Sequence, residues 1–317
     1  MRRLIVNADD FGLTAGVNHA IAEGHNLGIV TSATLMARGR AFDDAVRLAH
    51  STPKLSVGCH VVLVDGEPVL RPEQVRSLLA PAKREGLPFA PIRTGTARRV
   101  AVTTAPQARF HNGFGGLAVG AVRRGLDSNQ IQQETEAQIR QLQAAGIEVT
   151  HVDAHKHTHM LPQVADAVMR AAVSCGVRAI RNPFVPLRPI IFAHVLRRPK
   201  LWKRYGEVTV LRKYHQSFLD RVRMLGMVTP DGSFGVISTG TLDLNLFRAI
   251  VGSIPDGTWE LVCHPGYNDA ELGLVRTRLR ESRARELAIL TSPAARSILE
   301  QHDIQLISYR ELALTNA

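Results

Sequence analysis

The chain alternates between short apolar runs, which are typical of buried strands, and longer segments with apolar residues at helical spacing. The first run, residues 4–6, leads into Asp9, Asp10 and Gly12, and a helix is predicted over residues 14–28. The pattern then predicts a strand, a helix and a strand, over residues 29–36, 41–50 and 55–63. Strands and helices in regular alternation indicate parallel βα units, so the sequence predicts an α/β fold.

The periodicity weakens in one long stretch and then returns. Prolines and glycines interrupt residues 65–116, which are predicted to form an irregular insert over the mouth of the fold. The clearest helix is predicted over residues 128–145. Further strands are predicted over residues 147–153, 177–181, 234–237 and 259–263, helices over residues 163–175 and 276–290, and a closing strand and helix over residues 304–314. The number of βα units indicates one barrel-like domain over residues 1–317.

The composition supports a large core and no membrane span. Of the 317 residues 45% are hydrophobic, but no apolar run reaches the ~18 residues of a spanning helix. The N-terminus lacks the apolar region of a signal peptide, and the three cysteines form no CxxC pair. These features predict a cytoplasmic protein.

The net charge of +11 fits nucleic acid, an anionic membrane or an acidic substrate as a partner. Aromatic residues make up 5% of the chain and do not alternate with the basic ones, which argues against a platform for single-stranded nucleic acid. Basic residues are concentrated in residues 185–216, together with Trp202 and Tyr205. This basic segment is either a solvated surface or a site that binds an anionic membrane.

Side chains suited to metal binding or acid–base chemistry follow four of the apolar runs. They are Asp9 with Asp10, His60, the residues 153–159, and His264. Because the carboxyl ends of parallel strands meet at one rim, we expect these side chains to lie close together. One carboxylate and two imidazoles from three strands form a ligand set for one divalent cation. These ligand types suit Zn²⁺, and they also fit Mg²⁺ or Mn²⁺.

The spacing after the fourth predicted strand leaves two arrangements open. Asp153, His155, His157 and His159 occupy every second position. In an extended segment all four side chains share one face, whereas in a helix only His155 and His159 do. Some of these histidines are therefore expected to orient ligands rather than to bind the metal.

Five segments of the chain resemble the YdjC family of carbohydrate deacetylases, which includes chitooligosaccharide deacetylases. These segments are NADDFG, GIVTSATLM, VGCHVVL, THVDAHKHTHMLP and LVCHPGYND, in this order and spacing. The resemblance extends over essentially the whole chain. Two further segments, HNGFGG and FGVISTG, resemble the branch of the family associated with hopanoid biosynthesis, called HpnK.

The family resemblance implies a distorted (βα) barrel of the glycoside hydrolase/deacetylase type and a metal-dependent N-deacetylase. Carried over by motif, Asp10, His60 and His155 hold one divalent cation, Zn²⁺ or Mg²⁺. Asp9 is then the base that takes a proton from the metal-bound water, and His264 is the acid that protonates the departing amine. This division suits the reaction, because an amide carbonyl must be polarised and an amine leaves poorly unless it is protonated.

Three other residues near the predicted rim are candidates for substrate binding. Arg181 ends a predicted strand, Tyr267 follows His264, and His159 ends the histidine-rich segment. For Arg181 and Tyr267, ion pairing or packing is the alternative interpretation.

The leading hypothesis for the function is removal of the acetyl group from an N-acetylglucosamine unit, on a hopanoid glycolipid. Such a substrate would bring the protein into peripheral contact with the inner face of the membrane. The alternative within the family is a soluble chitooligosaccharide, such as chitobiose.

A metal phosphoesterase would also use an Asp/His rim, commonly with two metals ~3.5–4 Å apart. A nucleic-acid-binding function ranks last, because it would not explain the Asp and His clusters at the predicted rim. The sequence does not indicate an oligomeric state.

Overall fold

The computed structural model describes residues 1–81, 108–186 and 189–315. Residues 82–107, half of the predicted irregular insert, lie outside the described residues. The described start of the insert contains two short 3-10 turns, and its end leads into a helix that the sequence did not predict. Among the described residues, no helix combines the length and the apolar character needed to cross a lipid bilayer.

The described strands form one sheet in which every pairing between strands is parallel. The strands are β1 (Arg2–Phe11), β2 (Ser32–Leu35), β3 (Ser56–Val61), β4 (His151–Ala154), β5 (Ala179–Ile180), β6 (Gly232–Phe234), β7 (Gly257–Cys263) and β8 (Ile304–Leu306). The spatial order is β5-β4-β3-β2-β1-β7-β6. Strand β1 is central: it pairs with β7 on one side, and on the other with β8 at its start and β2 at its end.

Helices connect successive strands and cover the sheet. They are α1 (Ala15–Asn26), α2 (Phe42–Ser51), α3 (Gly113–Arg124), α4 (Ser128–Ala144), α5 (Pro162–Ser174), α6 (Pro189–Leu196), α7 (Trp202–Leu211), α8 (His215–Met224), α9 (Leu244–Ser253), α10 (Ala270–Gly273), α11 (Glu281–Leu290), α12 (Pro293–Gln301) and α13 (Tyr309–Thr315). The side chain of Thr14 caps α1, and that of Asp127 caps α4.

The two edges of the sheet approach one another. Val228, which precedes β6, donates to Arg178 O at 2.8 Å and accepts from Ile180 N at 3.0 Å. Farther along, Ser233 N donates to Phe184 O at 3.3 Å. The predicted barrel-like α/β domain is confirmed, as a parallel sheet curled into a half-barrel.

The core divides between the two faces of β1. Leu4, Val6 and Ala8 pack in the large cluster between the sheet and the surrounding helices. Ile5 faces the opposite way and packs with a small cluster that contains Tyr309. Since side chains alternate along a strand, Asn7 and Asp9 continue the inward face. The strand therefore delivers polar groups to the barrel interior.

Helix α4 fixes the chain beyond β3 through buried polar groups. Gln138 accepts from Val62 N and donates to Val62 O, both at 2.8 Å. Glu134 accepts from the backbone amides of Val69 and Leu70 at 2.8 and 3.0 Å. The carboxyl end of β3 and the first described residues of the insert thus depend on this one helix.

We expect Gln138→Leu to lower the free energy of unfolding by about 2 kcal/mol or more, because it leaves both backbone groups of Val62 buried without partners. Urea denaturation followed by circular dichroism measures this loss. Gln143→Leu, which changes an exposed glutamine on the same helix, is the control and should cost less than about 1 kcal/mol. Equal losses in the two variants would show that the Val62 contacts contribute little.

Candidate active site

The carboxyl end of β1 turns two consecutive carboxylates toward the same cavity. Alternation along the strand would send Asp9 and Asp10 to opposite faces. The register of β1 against β2 shifts between Ala8 and Phe11, and Asp10 has a φ of 68°. Such an irregularity re-aims the side chains beside it. Both carboxylates consequently line one cavity of about 740 Å³.

The three residues predicted to hold a metal converge in this cavity. Asp10 Oδ1 lies 3.6 Å from His60 Nε2 and 3.4 Å from His155 Nδ1, and the two nitrogens are 3.1 Å apart. One oxygen and two nitrogens from three strand ends form the donor set that a divalent cation binds. The residues present therefore fit a single metal ion.

The orientation of the His60 ring is fixed from behind. Its Nδ1 lies 2.7 Å from Asp153 Oδ1, and Thr34 Oγ1 donates to the other Asp153 oxygen at 3.2 Å. Burial by itself would lower the pKa of His60, but the carboxylates of Asp153, Asp9 and Asp10 together outweigh burial and raise that pKa to about 9. A carboxylate behind a histidine is the arrangement that orients a metal ligand, and it leaves Nε2 facing the cavity.

The histidine-rich segment after β4 is neither a strand nor a regular helix. Residues His155–Met160 form 3-10 turns, and Lys156 and His157 have φ values of 54°. His155 reaches Asp10 and His60, and His157 lines the cavity. His159 is fully buried and does not line the cavity.

Arg181 lies inside the barrel among three carboxylates rather than on the rim. Its two terminal nitrogens bind both oxygens of Asp9 at 2.7 and 2.9 Å. The same guanidinium contacts Asp153 and lies 2.7 Å from Glu260 Oε1. Arg181 is fully buried and is not among the cavity-lining residues, so the structure places this predicted substrate-binding residue below the site.

The guanidinium sets the ionisation of Asp9. Burial raises the pKa of this carboxyl, but the neighbouring Arg181 and His60 outweigh burial and hold the pKa well below its usual range. Asp9 is therefore an ionised acceptor at neutral pH. Asn7 Nδ2 donates to Asp9 Oδ1 at 3.0 Å and helps to fix its orientation.

Asp10 is paired with a different arginine, Arg283. Arg283, on α11, places Nη2 2.5 Å from Asp10 Oδ2. Burial again raises the pKa of Asp10, and Arg283 and the two candidate histidine ligands outweigh that effect and lower it well below its usual value. Each of the two adjacent aspartates is thus ionised and oriented by its own arginine.

His264 lies beside Asp9 at the end of β7. Its Nε2 is 3.8 Å from Asp9 Oδ2, and its backbone amide donates to Glu286 Oε2 at 2.6 Å. Burial is the main cause that lowers the pKa of His264 to about 4, so its ring is neutral at pH 7. Burial also raises the pKa of Glu286, to about 7.

Tyr267, the remaining predicted substrate-binding residue, lies apart from these groups. It is partly exposed, its hydroxyl donates to Glu23 on α1, and it does not line the cavity. The cavity lining combines apolar and basic side chains. Among the apolar ones are Met36, Val62, Val64, Val208 and Val236, and among the basic ones are Lys156, Arg204, Arg276, Arg278 and Arg280.

The sequence did not identify three groups that support the site. Arg283 and Glu286 belong to a helix whose charges look like an ordinary solvated face, and Glu260 is one charged residue within an apolar strand. A charged residue within the run WELVC is the only local signal, because it indicates a buried partner.

Comparison with known proteins identifies the family of this chain. A family model described as YdjC-like protein matches residues 3–301. The chain belongs to the YdjC-like family. Carbohydrate deacetylases from Brevibacillus brevis and Geobacillus stearothermophilus are 31% and 32% identical to it, each alignment covering 98% of this chain and 99% or 98% of the relative. The predicted family and the prediction of an enzyme are confirmed.

A crystal structure from Enterococcus faecalis V583 shares the fold of this YdjC-like protein. It describes a candidate cellobiose-phosphate cleavage protein, with a TM-score of 0.71, 22% identity, and coverage of 98% of this chain and 99% of the other. At this identity the similarity concerns the fold.

We expect Arg181→Met to lower the free energy of unfolding of this YdjC-like protein by about 3–5 kcal/mol, because three buried carboxylates lose their counter-charge. The loss should shrink as the pH falls, because protonating those carboxylates removes their repulsion. Chemical denaturation at several pH values measures both effects.

Arg310→Met is the matched control for this experiment. Arg310 pairs with Glu148 at the surface, at 3.1 Å, so its removal should cost less than about 1 kcal/mol at any pH. A small, pH-independent loss in Arg181→Met would contradict the structural role assigned to Arg181.

Proposed function

We propose that this YdjC-like protein is a metal-dependent carbohydrate N-deacetylase that hydrolyses the acetamide of an N-acetylated amino sugar to acetate and a free amine. The observation that carries the proposal is that the Asp10, His60 and His155 ligand set shares one cavity with Asp9 and His264. The carbohydrate deacetylase activity of the relatives from Brevibacillus and Geobacillus supports the reaction class.

The metal would be held by Asp10 Oδ1, His60 Nε2 and His155 Nδ1. A divalent cation in this position would polarise the amide carbonyl and lower the pKa of water. The two imidazoles and one carboxylate favour Zn²⁺, and Mg²⁺ is the alternative. Asp153 supports the site by fixing the His60 ring from behind.

Asp9 serves as the base in this proposal. Arg181 holds it ionised, so at neutral pH it can accept a proton from the water that attacks the acetamide carbon. Because both Asp9 oxygens are bound by Arg181, the carboxylate is also held in a fixed orientation beside the ligand set. Fixed orientation matters because the proton must move as the carbon–oxygen bond forms.

His264 serves as the acid that releases the amine. Its ring is neutral at pH 7, so it must first gain a proton before it can donate one. Asp9 Oδ2 lies 3.8 Å from His264 Nε2, so the proton taken from water can pass to His264. His264 then protonates the sugar nitrogen as the carbon–nitrogen bond breaks, and its ring returns to the neutral form.

The position of Arg181 favours this reaction over a two-metal phosphoesterase. A second group of possible ligands, Asp9, His60 and Asp153, lies beside the first. The Arg181 guanidinium already contacts both of these carboxylates. A second cation would have to compete with that buried positive charge, so the structure supports one metal ion.

For the substrate we propose the N-acetylglucosamine unit of a hopanoid glycolipid. The HNGFGG and FGVISTG segments support this choice, and so do the apolar side chains of the cavity lining, which can pack against a lipid attached to the sugar. Chitobiose is the alternative substrate. We propose His157, Lys156 and Arg204, which line the cavity, as the residues that contact the substrate. Arg181 and His159 do not line the cavity. Tyr267 does not line it either and remains a candidate. The cytoplasmic location stays a prediction.

The test is release of acetate from an N-acetylglucosaminyl lipid and from chitobiose, with and without a chelator. We expect the chelator to abolish release and added Zn²⁺ or Mg²⁺ to restore it. Asp9→Asn should lower kcat at least about 100-fold, because an amide cannot accept the proton from water. Asp256→Asn, at an exposed carboxyl far from the cavity, should retain wild-type activity.

Two results would overturn the mechanism. One is acetate release that persists in the metal-stripped protein. The other is an Asp9→Asn variant that folds, binds metal and keeps its rate. The ratio of rates on the two substrates distinguishes the glycolipid from the soluble sugar.

A further inference from the structure

Exposed apolar side chains are concentrated on two neighbouring helices. Phe192 and Leu196 on α6, and Trp202 and Val210 on α7, expose 52%, 58%, 55% and 63% of their surfaces. The other large apolar side chains that are described as exposed are scattered singly along the chain. Single exposed residues are ordinary, whereas a group of four within 19 residues indicates an interaction surface.

The four side chains lie on two helices that pack against each other. Phe192 and Leu196 are one turn apart, so they share a face of α6. Trp202 Nε1 donates to Val195 O at 3.0 Å, and the Phe192 ring lies 6.1 Å from the Tyr205 ring. These contacts hold α6 against the start of α7. We call Phe192, Leu196, Trp202, Val210 and the exposed basic residues among them the α6–α7 face.

The α6–α7 face is strongly basic. Leaving out Arg204 and Glu207, which line the cavity, residues 192–211 contain four basic side chains and no acidic one, a net charge of +4. Arg197, Lys200 and Lys203 are exposed, and Lys203 lies 3.9 Å from the carboxylate of Glu207. Basic residues interspersed with tryptophan and aliphatic residues are the composition of a surface that inserts shallowly into an anionic bilayer.

Helix α7 separates this face from the candidate active site. Arg204, Glu207, Val208 and Leu211 recur at helical spacing and line the cavity. Trp202 and Val210 lie on the other side of the helix, by the same periodicity. One helix therefore presents one side to the substrate cavity and its opposite side to the surroundings.

We propose that the α6–α7 face docks on an anionic lipid bilayer and brings the cavity to the membrane surface. The charge of the face selects this partner, because two copies of the chain would bring two faces of +4 together. The proposal deepens the proposed function, since a membrane-bound deacetylase would draw its sugar from a lipid. The docking itself is measurable without any turnover.

The test is flotation with vesicles of phosphatidylcholine alone or mixed with phosphatidylglycerol, at low and high salt. We expect the full chain to bind the mixed vesicles only, and to release them in high salt. Arg197→Glu with Lys200→Glu should weaken binding at least about 25-fold, since each basic residue contributes about fivefold. Trp202→Ser with Val210→Ser should weaken binding at least about tenfold, through loss of apolar insertion.

The matched control is Leu27→Ser with Arg47→Glu. It removes an exposed apolar residue and an exposed positive charge at α1 and α2, away from the α6–α7 face, and it should bind as the wild type does. All variants should release acetate from chitobiose at the wild-type rate if chitobiose is turned over, because none of the changed residues lines the cavity.

Several results would overturn the docking proposal. Wild-type protein that fails to bind the mixed vesicles at low salt is one, and α6–α7 variants that bind as well as the control is another. A dimer in light scattering that the α6–α7 variants abolish would assign the face to a second copy instead. Vesicle binding without acetate release from any substrate would retain the docking surface and reject the deacetylase.

Discussion

The site depends on the balance of charge around one buried guanidinium. Arg181 pairs with Asp9, Asp153 and Glu260 within the barrel, where three carboxylates without any cation would be prohibitively costly. The same contacts set the orientation of Asp9 and, through Asp153, that of His60. Stability and chemistry are therefore linked at this residue: the ion that makes the polar interior tolerable also prepares the candidate base and a candidate metal ligand.

Two structural features give the adjacent carboxylates of Asp9 and Asp10 different roles. The irregular end of β1 and the φ of 68° at Asp10 direct both toward the cavity, and separate arginines then give them different surroundings. Arg181 approaches Asp9 from inside the barrel, whereas Arg283 approaches Asp10 from α11. Two carboxylates this close usually share one proton. Here a separate arginine keeps each of them ionised.

The sequence predicted the features that depend on local pattern. Apolar runs ending in Asp10, His60 and His155 indicated that these side chains would meet, because parallel strands share an edge. The direction of Arg181 could not be predicted in the same way, since a strand of two residues gives no alternation to follow. Arg283 and Glu286 act across 273 and 22 residues of sequence, through packing of α11 that no local periodicity records.

The shared pairing of β1 has a consequence for how the chain acquires its structure. Strand β1 is completed by the distant strands β7 and β8, so Arg2 pairs with Gly257 and with Ile304. Contacts of such high sequence separation form late and slow the search for the native state. During synthesis β2 can pair early with the end of β1, but the edge of β1 that pairs with β7 stays open until most of the chain has been made. The nascent chain is at that stage a natural client for chaperones.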